Sequence, residues 1–245
     1  MTTVHTGASG RAPARPDPAG ARPGLTCDEL LTTTRSVRRA MDLTRDVDLD
    51  VVKRCLTTAL QAPNGANRQP WRWLVLTDPG VRAAVAAVYR RAFLDRNGPP
   101  PPRPPAPGDR AARMVEDARE LAGKLHRVPV LVIPCLELDV TELPSGNQAS
   151  MWSSVLPAAW SYALAARTYG LVTAWTTVHL DREKEVAGLL GLPPTVHQGP
   201  LLPTAHGTRT TFRPAPRRPL QDVLHVDGWR GGPEVHHEIP EEGRA

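Results

Sequence analysis

The segment from Ser150 to Tyr169 carries apolar side chains on nearly every face of a predicted helix. A helix that is apolar all round must be covered on all sides, so it is expected at the centre of a domain or shared across a dimer interface. Pro157 lies inside the segment and predicts a kink or a break. Because serines and this proline interrupt the apolar run, it is too short to span a bilayer.

Prolines divide the rest of the chain, since 27 of its 245 residues are proline. The richest stretch, 98–108, predicts an extended loop insertion, because proline is excluded from helix interiors and central strands. Residues 1–26 contain almost no large apolar side chains and predict a disordered tail. Residues 231–245 predict a short acidic tail. One domain, 27–230, is left between the two tails.

Apolar spacing predicts both helices and strands inside this domain. A 3.6-residue period predicts a helix over 49–61, with Asp48 as its N-cap. Further predicted helices span 81–94, 109–126, 150–169 and 182–190, and a short helical turn spans 219–225. Short apolar runs predict strands over 71–77, 128–135, 171–177 and 201–205. Helices and strands do not alternate strictly, so we expect an α+β fold with a sheet between helical layers.

Charge and cysteine content exclude several classes of protein. The net charge is +5, but all except three of the 30 basic residues are arginine, which indicates GC-rich coding rather than a nucleic-acid surface. The arginines are spread out, with no basic run interleaved with aromatic residues, so no nucleic-acid partner is expected. Cys27, Cys55 and Cys135 are too far apart for zinc spacing, which predicts reduced thiols, a cytoplasmic location and no metal site. The first 26 residues have no apolar core typical of a signal peptide.

The common catalytic motifs are absent from the sequence. No Gly-x-Gly-x-x-Gly follows a strand, and there is neither a P-loop nor a Gly-x-Ser-x-Gly elbow. His236 and His237 are adjacent but lie in the acidic tail, where a solvated tail is a better interpretation than a metal site. No side-chain group is therefore expected to carry the chemistry alone.

The segment 34–39, Thr-Arg-Ser-Val-Arg-Arg, concentrates guanidinium and hydroxyl donors near the start of the domain. Arginine forks and a short serine donor suit a phosphate group. A solvated basic turn explains the same composition equally well, so the residues alone leave both interpretations open.

A second polar segment, 62–71, follows the first predicted helix and opens a strand. Its asparagine and glutamine amides offer both donors and acceptors, and its glycine permits close backbone approach, as a planar heterocycle with imide edges would require. The alternative is an ordinary helix-to-strand connection, where proline, asparagine and glycine are common.

Together the two segments resemble the nitroreductase family of FMN-dependent oxidoreductases. Arg-Ser-Val-Arg is followed about 25 residues later by Ala-Pro-x-Gly-x-Asn-x-Gln-Pro-Trp. The similarity extends roughly from Leu30 to Trp229 and is strongest to an actinobacterial-type branch. It implies a three-layer fold with a mixed sheet between helical layers, and an obligate homodimer.

The resemblance also implies roles for particular residues. Arg35 and Ser36 would bind the FMN phosphate or ribityl chain, with Arg217 as a second phosphate partner. Arg38 would lie at the pyrimidine end of the isoalloxazine, where a cation stabilises the charge that reduction creates. One departure concerns the phosphate, because many members carry an arginine where this chain has Thr34.

Two further groups of residues are implied near the flavin ring. Loop residues would approach it from the partner subunit: these are Pro63, Asn64, Gly65 and Asn67. Asn64 replaces the family's usual serine or threonine. Thr176 and Thr177 would line the face near the reactive nitrogen.

The implied activity is ping-pong transfer of a hydride from NAD(P)H to FMN and then to a small organic acceptor such as a nitroaromatic or a quinone. One alternative is a flavin-dependent dehydrogenase or tailoring enzyme that oxidises a biosynthetic intermediate. Another is a non-catalytic flavin-binding protein. A small-molecule acceptor and a second copy of the chain are the expected partners, with no membrane association.

Overall fold

The computed structural model describes residues 24–106, 108–209 and 211–229. It divides the chain into two compact units, the first ending at Phe212 and the second beginning at Arg213.

The two predicted tails fall almost entirely outside the described residues. Only 24–26 of the N-terminal tail are described, and there Thr26 caps the first helix through a reciprocal pair of hydrogen bonds with Glu29. None of the C-terminal tail, 231–245, is described.

Six helices and six strands lie in the described part of the first unit. The helices are α1 (Cys27–Thr33), α2 (Leu49–Ala59), α3 (Pro79–Asn97), α4 (Arg110–Lys124), α5 (Ala149–Thr168) and α6 (Glu183–Leu190). The strands are β1 (Met41–Asp42), β2 (Trp71–Leu76), β3 (Val130–Glu137), β4 (Leu171–Thr173), β5 (Val196–Gln198) and β6 (Leu202–Gly207). The predicted α+β class is confirmed.

Aspartates begin three of the helices. The side chain of Asp48 accepts from the backbone of Asp50, so the predicted cap of α2 is confirmed. Asp78 caps α3, which begins with Pro79, and Asp109 caps α4. Each carboxylate satisfies a backbone N–H that the helix itself leaves unpaired.

The sheet is antiparallel at every pairing of the described strands, whereas a mixed sheet was expected. The strand order is β1-β6-β3-β2, with β4 also on β6 and β5 also on β3. Two helices, α3 and α4, connect β2 to β3. After the second helix the chain is back at the end of the sheet where β2 stopped, so β3 runs in the direction opposite to β2. A single helix, α5, separates β3 from β4; these two run the same way, but they lie on either side of β6 and do not pair.

Alternating residues of β3 face two different helical layers. Leu131 and Ile133 pack in the cluster formed with α3 and α4. Val130 and Val132 pack in the cluster formed with α2 and α5. Because side chains alternate across a strand, one strand contributes to both cores, and the predicted three-layer arrangement is confirmed.

Two elements differ from their predictions. The helix α5 continues through Pro157, so the predicted break does not occur. The strand β4 ends at Thr173 rather than at 177, because the backbone N–H of Trp175 turns to the hydroxyl of Ser36. Beyond this point an isolated antiparallel bridge pairs Thr176 with Leu201, the residue just before β6.

The predicted loop 98–108 contains neither helix nor strand in its described residues, 98–106 and 108. In the second unit, the predicted helical turn over 219–225 is a short 3-10 turn, Leu220–Asp222. Within the described ranges, no helix has both the length and the apolar character needed to cross a membrane.

Candidate functional site

The basic segment begins where α1 ends. Thr34 has an extended backbone and stops the helix. Its hydroxyl donates to the carbonyl oxygen of Leu30 at 2.6 Å. This threonine therefore directs its hydroxyl proton back onto its own helix.

The next residues lie along the end of β4. The hydroxyl of Ser36 accepts from the backbone N–H of Trp175 at 2.8 Å. The backbone N–H of Val37 donates to the carbonyl oxygen of Thr173 at 2.8 Å. These two bonds bring the predicted residues 35–38 beside the predicted pair 176–177, which are about 140 positions later in the sequence.

Three guanidinium groups surround the ring of Phe212. The Cζ atoms of Arg167, Arg209 and Arg35 lie 4.7, 5.3 and 5.6 Å from the ring centroid. We call these three residues the arginine cluster. Arg167 is only 5% exposed.

The other end of the basic segment lies beside a buried hydroxyl pair. The hydroxyls of Tyr89 and Thr176 are 2.8 Å apart. Burial raises the pKa of Tyr89, and the charge of Arg38 opposes that rise, so Arg38 acts on the same pair. Thr176 is buried and Thr177 is exposed.

The loop of the second motif is fixed by its own amides. The side-chain oxygen of Asn64 accepts from the backbone N–H of Gln69 at 3.0 Å, and the Gln69 amide donates to Asn67 at 3.1 Å. Ala66, Asn67 and Gln69 all have positive φ angles, between 50° and 52°. Such angles are uncommon outside glycine, so the loop has a specific, strained shape.

This loop contacts α5 far from the arginine cluster. The backbone N–H of Gly65 donates to the hydroxyl of Ser154 at 3.1 Å. Arg167 is thirteen residues further along α5, which corresponds to roughly 20 Å of helix. Within one chain, the helix therefore separates the loop from the cluster.

Other predicted features have plainer outcomes. Arg217 lies in the second unit, so its role stays a prediction.

Burial raises the pKa values of Cys55 and Cys135 to about 12, which makes both thiols poor nucleophiles at neutral pH. Among the described residues, no cluster of acidic, histidine or cysteine side chains could bind a metal. His236 and His237 lie outside the described residues.

The sequence reasoning missed several residues near the site, namely Tyr89, Arg167, Arg209 and Phe212. A lone arginine near the end of an otherwise apolar helix was the one available signal, and it pointed to Arg167. The other three are brought in by contacts that no local pattern encodes.

Comparison with known proteins identifies the class to which this α+β fold belongs. The model of the Nitroreductase family matches residues 31–202, more than half of the chain. The chain therefore belongs to the nitroreductase family.

Similar proteins include both reductases and deiodinases. A protein from Methanothermobacter thermautotrophicus, provisionally named an NADH dehydrogenase/NAD(P)H nitroreductase, is 24% identical over 82% of this chain and 86% of its own length. Iodotyrosine deiodinase 1 of Homo sapiens is 25% identical over 80% of this chain and 66% of its own.

Solved structures share the fold at low sequence identity. An FMN- and NADPH-dependent nitroreductase, NfnB, from Sphigopyxis sp. strain HMH has a TM-score of 0.63 at 22% identity, over 84% of this chain and all of that one. Oxidized iodotyrosine deiodinase bound to FMN and 3-iodo-L-tyrosine has a TM-score of 0.60 at 22% identity, over 82% and 98% of the two chains.

Proposed function

We propose that the protein is an FMN-dependent oxidoreductase that takes a hydride from NAD(P)H and reduces a small organic acceptor. The observation that carries the proposal is the docking of residues 35–38 against the end of β4 through Ser36 and Val37. This contact brings a segment rich in guanidinium and hydroxyl groups to the end of β4, and such groups suit a phosphate-bearing cofactor.

The donor set fits FMN at both of its ends. At one end, the Arg35 guanidinium and the Ser36 hydroxyl suit a phosphate. At the other, the half-buried Arg38 lies near Thr176 and Tyr89. When bound, FMN would supply two-electron redox chemistry, which explains why the sequence contains no catalytic motif of its own.

The chain's residues would then act mainly by position and charge. Arg38 would stabilise negative charge at the pyrimidine edge, because a fixed cation needs no reorganisation during the reaction. The hydroxyl of Thr176 would donate a hydrogen bond toward the ring, with Tyr89 donating to Thr176 from behind. Arg217 would add a second cation at the phosphate.

We also propose that two copies of the chain form the site. One face of α5 stays partly open in the single chain, where Leu156 is 38% exposed and Trp160 and Leu164 are half-buried. A second copy would cover this apolar face and bring its loop, with Pro63, to the flavin. Substitution Leu156→Asp should yield monomers in sedimentation experiments and weaken FMN binding.

The test begins with the absorbance spectrum of the purified protein, followed by anaerobic addition of NADPH and of NADH. A flavin spectrum that bleaches supports the reductase and identifies the donor. A spectrum that persists with both donors supports the dehydrogenase or the non-catalytic alternative. No flavin, even after incubation with FMN, contradicts the proposal.

The acceptor is tested in the same cell after reduction. A nitroaromatic, a quinone and 3-iodotyrosine are added separately, the last because deiodinases are among the similar proteins. The acceptor that restores the oxidised spectrum fastest defines the substrate class. The additions are made without oxygen, because oxygen re-oxidises a reduced flavin whichever donor reduced it.

A further inference from the structure

Thr176, just beyond the end of β4, has nearly all of its polar groups committed to hydrogen bonds. Its backbone N–H and carbonyl oxygen exchange bonds with Leu201 at 3.1 and 2.8 Å. Its hydroxyl lies 2.8 Å from the hydroxyl of Tyr89. Two hydroxyls carry two protons, and the bond between them uses only one of them. One proton of this pair is therefore left over.

Burial decides which of the two protons is left over. Tyr89 is 1% exposed, and burial raises its pKa, so the phenol keeps its proton at neutral pH. In the described part of the chain, its hydrogen-bond partner is Thr176. If Thr176 donated to Tyr89, the phenol proton would be buried without an acceptor, which costs free energy. Tyr89 is therefore the donor, and Thr176, which is 8% exposed, keeps a proton that can reach a ligand.

A second pair of the same kind, in the core, has no proton to spare. The hydroxyls of Tyr162 and Thr204 lie 3.0 Å apart, and Thr204 donates its own proton to the carbonyl oxygen of Leu202 at 3.0 Å. For Thr176, no such carbonyl lies within hydrogen-bonding distance among the residues that the structure describes. The core pair is thus internally satisfied, whereas the pair at the site retains a donor for a ligand.

The helix α3 holds Thr176 and the residues after it in place. Tyr89 lies in the middle of α3 and makes the buried bond. Two ion pairs tie the C-terminal end of the same helix to the turn that follows Thr177, and these are Arg96 with Asp181 and Asp95 with Arg182. Exposed ion pairs are individually weak, but here they act on the same segment as the buried bond. The direction of the Thr176 hydroxyl is therefore set by a regular helix, as a precise binding site requires.

We propose that Tyr89 is a positioning residue that acts on the site solely through Thr176. By donating to Thr176, it prevents the threonine from turning its proton inward, so that proton is presented to a hydrogen-bond acceptor of the flavin ring. The carbonyl oxygens and unprotonated nitrogens of an oxidised isoalloxazine are acceptors of this kind. A donor that is already oriented needs no reorganisation when the ring binds or receives charge. This inference rests on the proposed function, because FMN is the ligand.

The experiment is a double-mutant cycle on deflavinated protein, with FMN binding measured by fluorescence quenching. Thr176→Val should weaken FMN binding about 3- to 10-fold, the loss typical of one uncharged hydrogen bond. Tyr89→Phe should weaken it less, about 2- to 5-fold, because the Thr176 hydroxyl remains but is free to rotate. In the combined variant the loss should equal that of Thr176→Val alone, since Tyr89 has no other route to the ring.

Stability and kinetics separate this role from support of the fold. Thr176→Val leaves the buried Tyr89 hydroxyl without its partner, so adding Tyr89→Phe should restore part of the free energy of unfolding measured in urea. FMN affinity should not recover with it. After reconstitution with excess FMN, the anaerobic flavin reduction rate at saturating nicotinamide donor should fall in all three variants. The donor concentration that gives half this rate should stay unchanged, because the proposed bond is to the flavin.

Tyr162→Phe is the matched control, because it breaks the internally satisfied pair. It should lower stability and leave FMN affinity and the reduction rate as in the wild type. FMN losses that multiply in the combined variant would give Tyr89 a route independent of Thr176 and overturn the inference. FMN affinity that recovers together with stability would mean that the pair only supports the fold. Wild-type protein that binds no FMN would refute the proposed function itself.

Discussion

Two buried tyrosines of this protein make the same bond on opposite sides of the sheet. The hydroxyl of Tyr89 bonds with Thr176 at 2.8 Å, and the hydroxyl of Tyr162 bonds with Thr204 at 3.0 Å. Burial raises the pKa of both phenols, so both stay neutral and able to donate. Only the first bond involves a residue of the proposed flavin site.

This pairing predicts different results for two matched substitutions. Tyr89→Phe and Tyr162→Phe each remove one buried hydrogen bond, so each should lower the free energy of unfolding by about 0.5–1.5 kcal/mol; Thr204 keeps its other bond, to the carbonyl oxygen of Leu202. Urea denaturation measures both losses. The flavin absorbance bands should shift in Tyr89→Phe alone, and an equal shift in both variants would contradict the role given to Thr176.

At the scale of residues, short motifs were informative and distant contacts were not. Ser36 and Thr176 were expected near one another only through a family resemblance, and the structure brings their segments together through Trp175. Arg167 and Phe212 meet across 45 positions of sequence. This contact depends on where α5 ends and on the path of the chain after β6, so no local sequence pattern could predict it.

At the scale of elements, Gly199 shows how closely the connection between β5 and β6 approaches β3. Its backbone N–H donates to the carbonyl oxygen of Pro134 at 2.8 Å. A Cβ atom on Gly199 would lie only 2.6 Å from the same oxygen. No side chain can be accommodated there without moving one of the two segments.

Substituting this glycine should therefore weaken the sheet. We expect Gly199→Ala to lower the free energy of unfolding by about 1–3 kcal/mol, as overpacking does in cores. Gly188→Ala is the control: it lies in α6 with no atom within 4 Å of the new Cβ, and alanine should stabilise the helix by roughly 0.5–1 kcal/mol. Thermal unfolding of both variants tests the contrast, and a stabilised Gly199→Ala would refute it.

Long periodic elements were predictable and short ones were not. The helix α2 and the strand β2 follow directly from apolar spacing and from Asp48. The strand β5 has three residues and forms only because β3 is available to pair with it. The helix α1 was missed although Thr26 and Glu29 give it a capping-box signature, because its run of threonines has low helix propensity.

At the scale of the whole molecule, one buried histidine links stability to pH. His179 is fully buried, with the Gly199 backbone and Asp181 as its polar neighbours. Burial lowers its pKa from 6.5 to about 4, partly opposed by the Gly199 backbone and by Asp181. The folded protein thus binds fewer protons here than the unfolded chain does.

Stability should accordingly fall as the pH drops from about 6.5 toward 4, by roughly 3 kcal/mol from this group. Above pH 6.5 the histidine is neutral in both the folded and the unfolded protein, so it does not make the free energy of unfolding depend on pH. Urea denaturation at pH 7, 5.5 and 4.5 measures the loss. His179→Leu should reduce the slope, while His206, whose pKa is also lowered by burial, retains part of it; an unchanged slope would contradict the assignment.

The length of α5 predicts that two differently damaged variants can restore activity to one another in the proposed dimer. Each site would combine the arginine cluster of one chain with the Gly65 loop of the other, so a defect in either chain damages a site that it shares. Two inactive proteins, Arg35→Met and Gly65→Asp, should therefore complement one another when unfolded and refolded together. Every mixed dimer would contain one doubly damaged site and one intact site, and about a quarter of all sites should regain activity. Activity no greater than in either variant alone would indicate that each chain builds its site unaided.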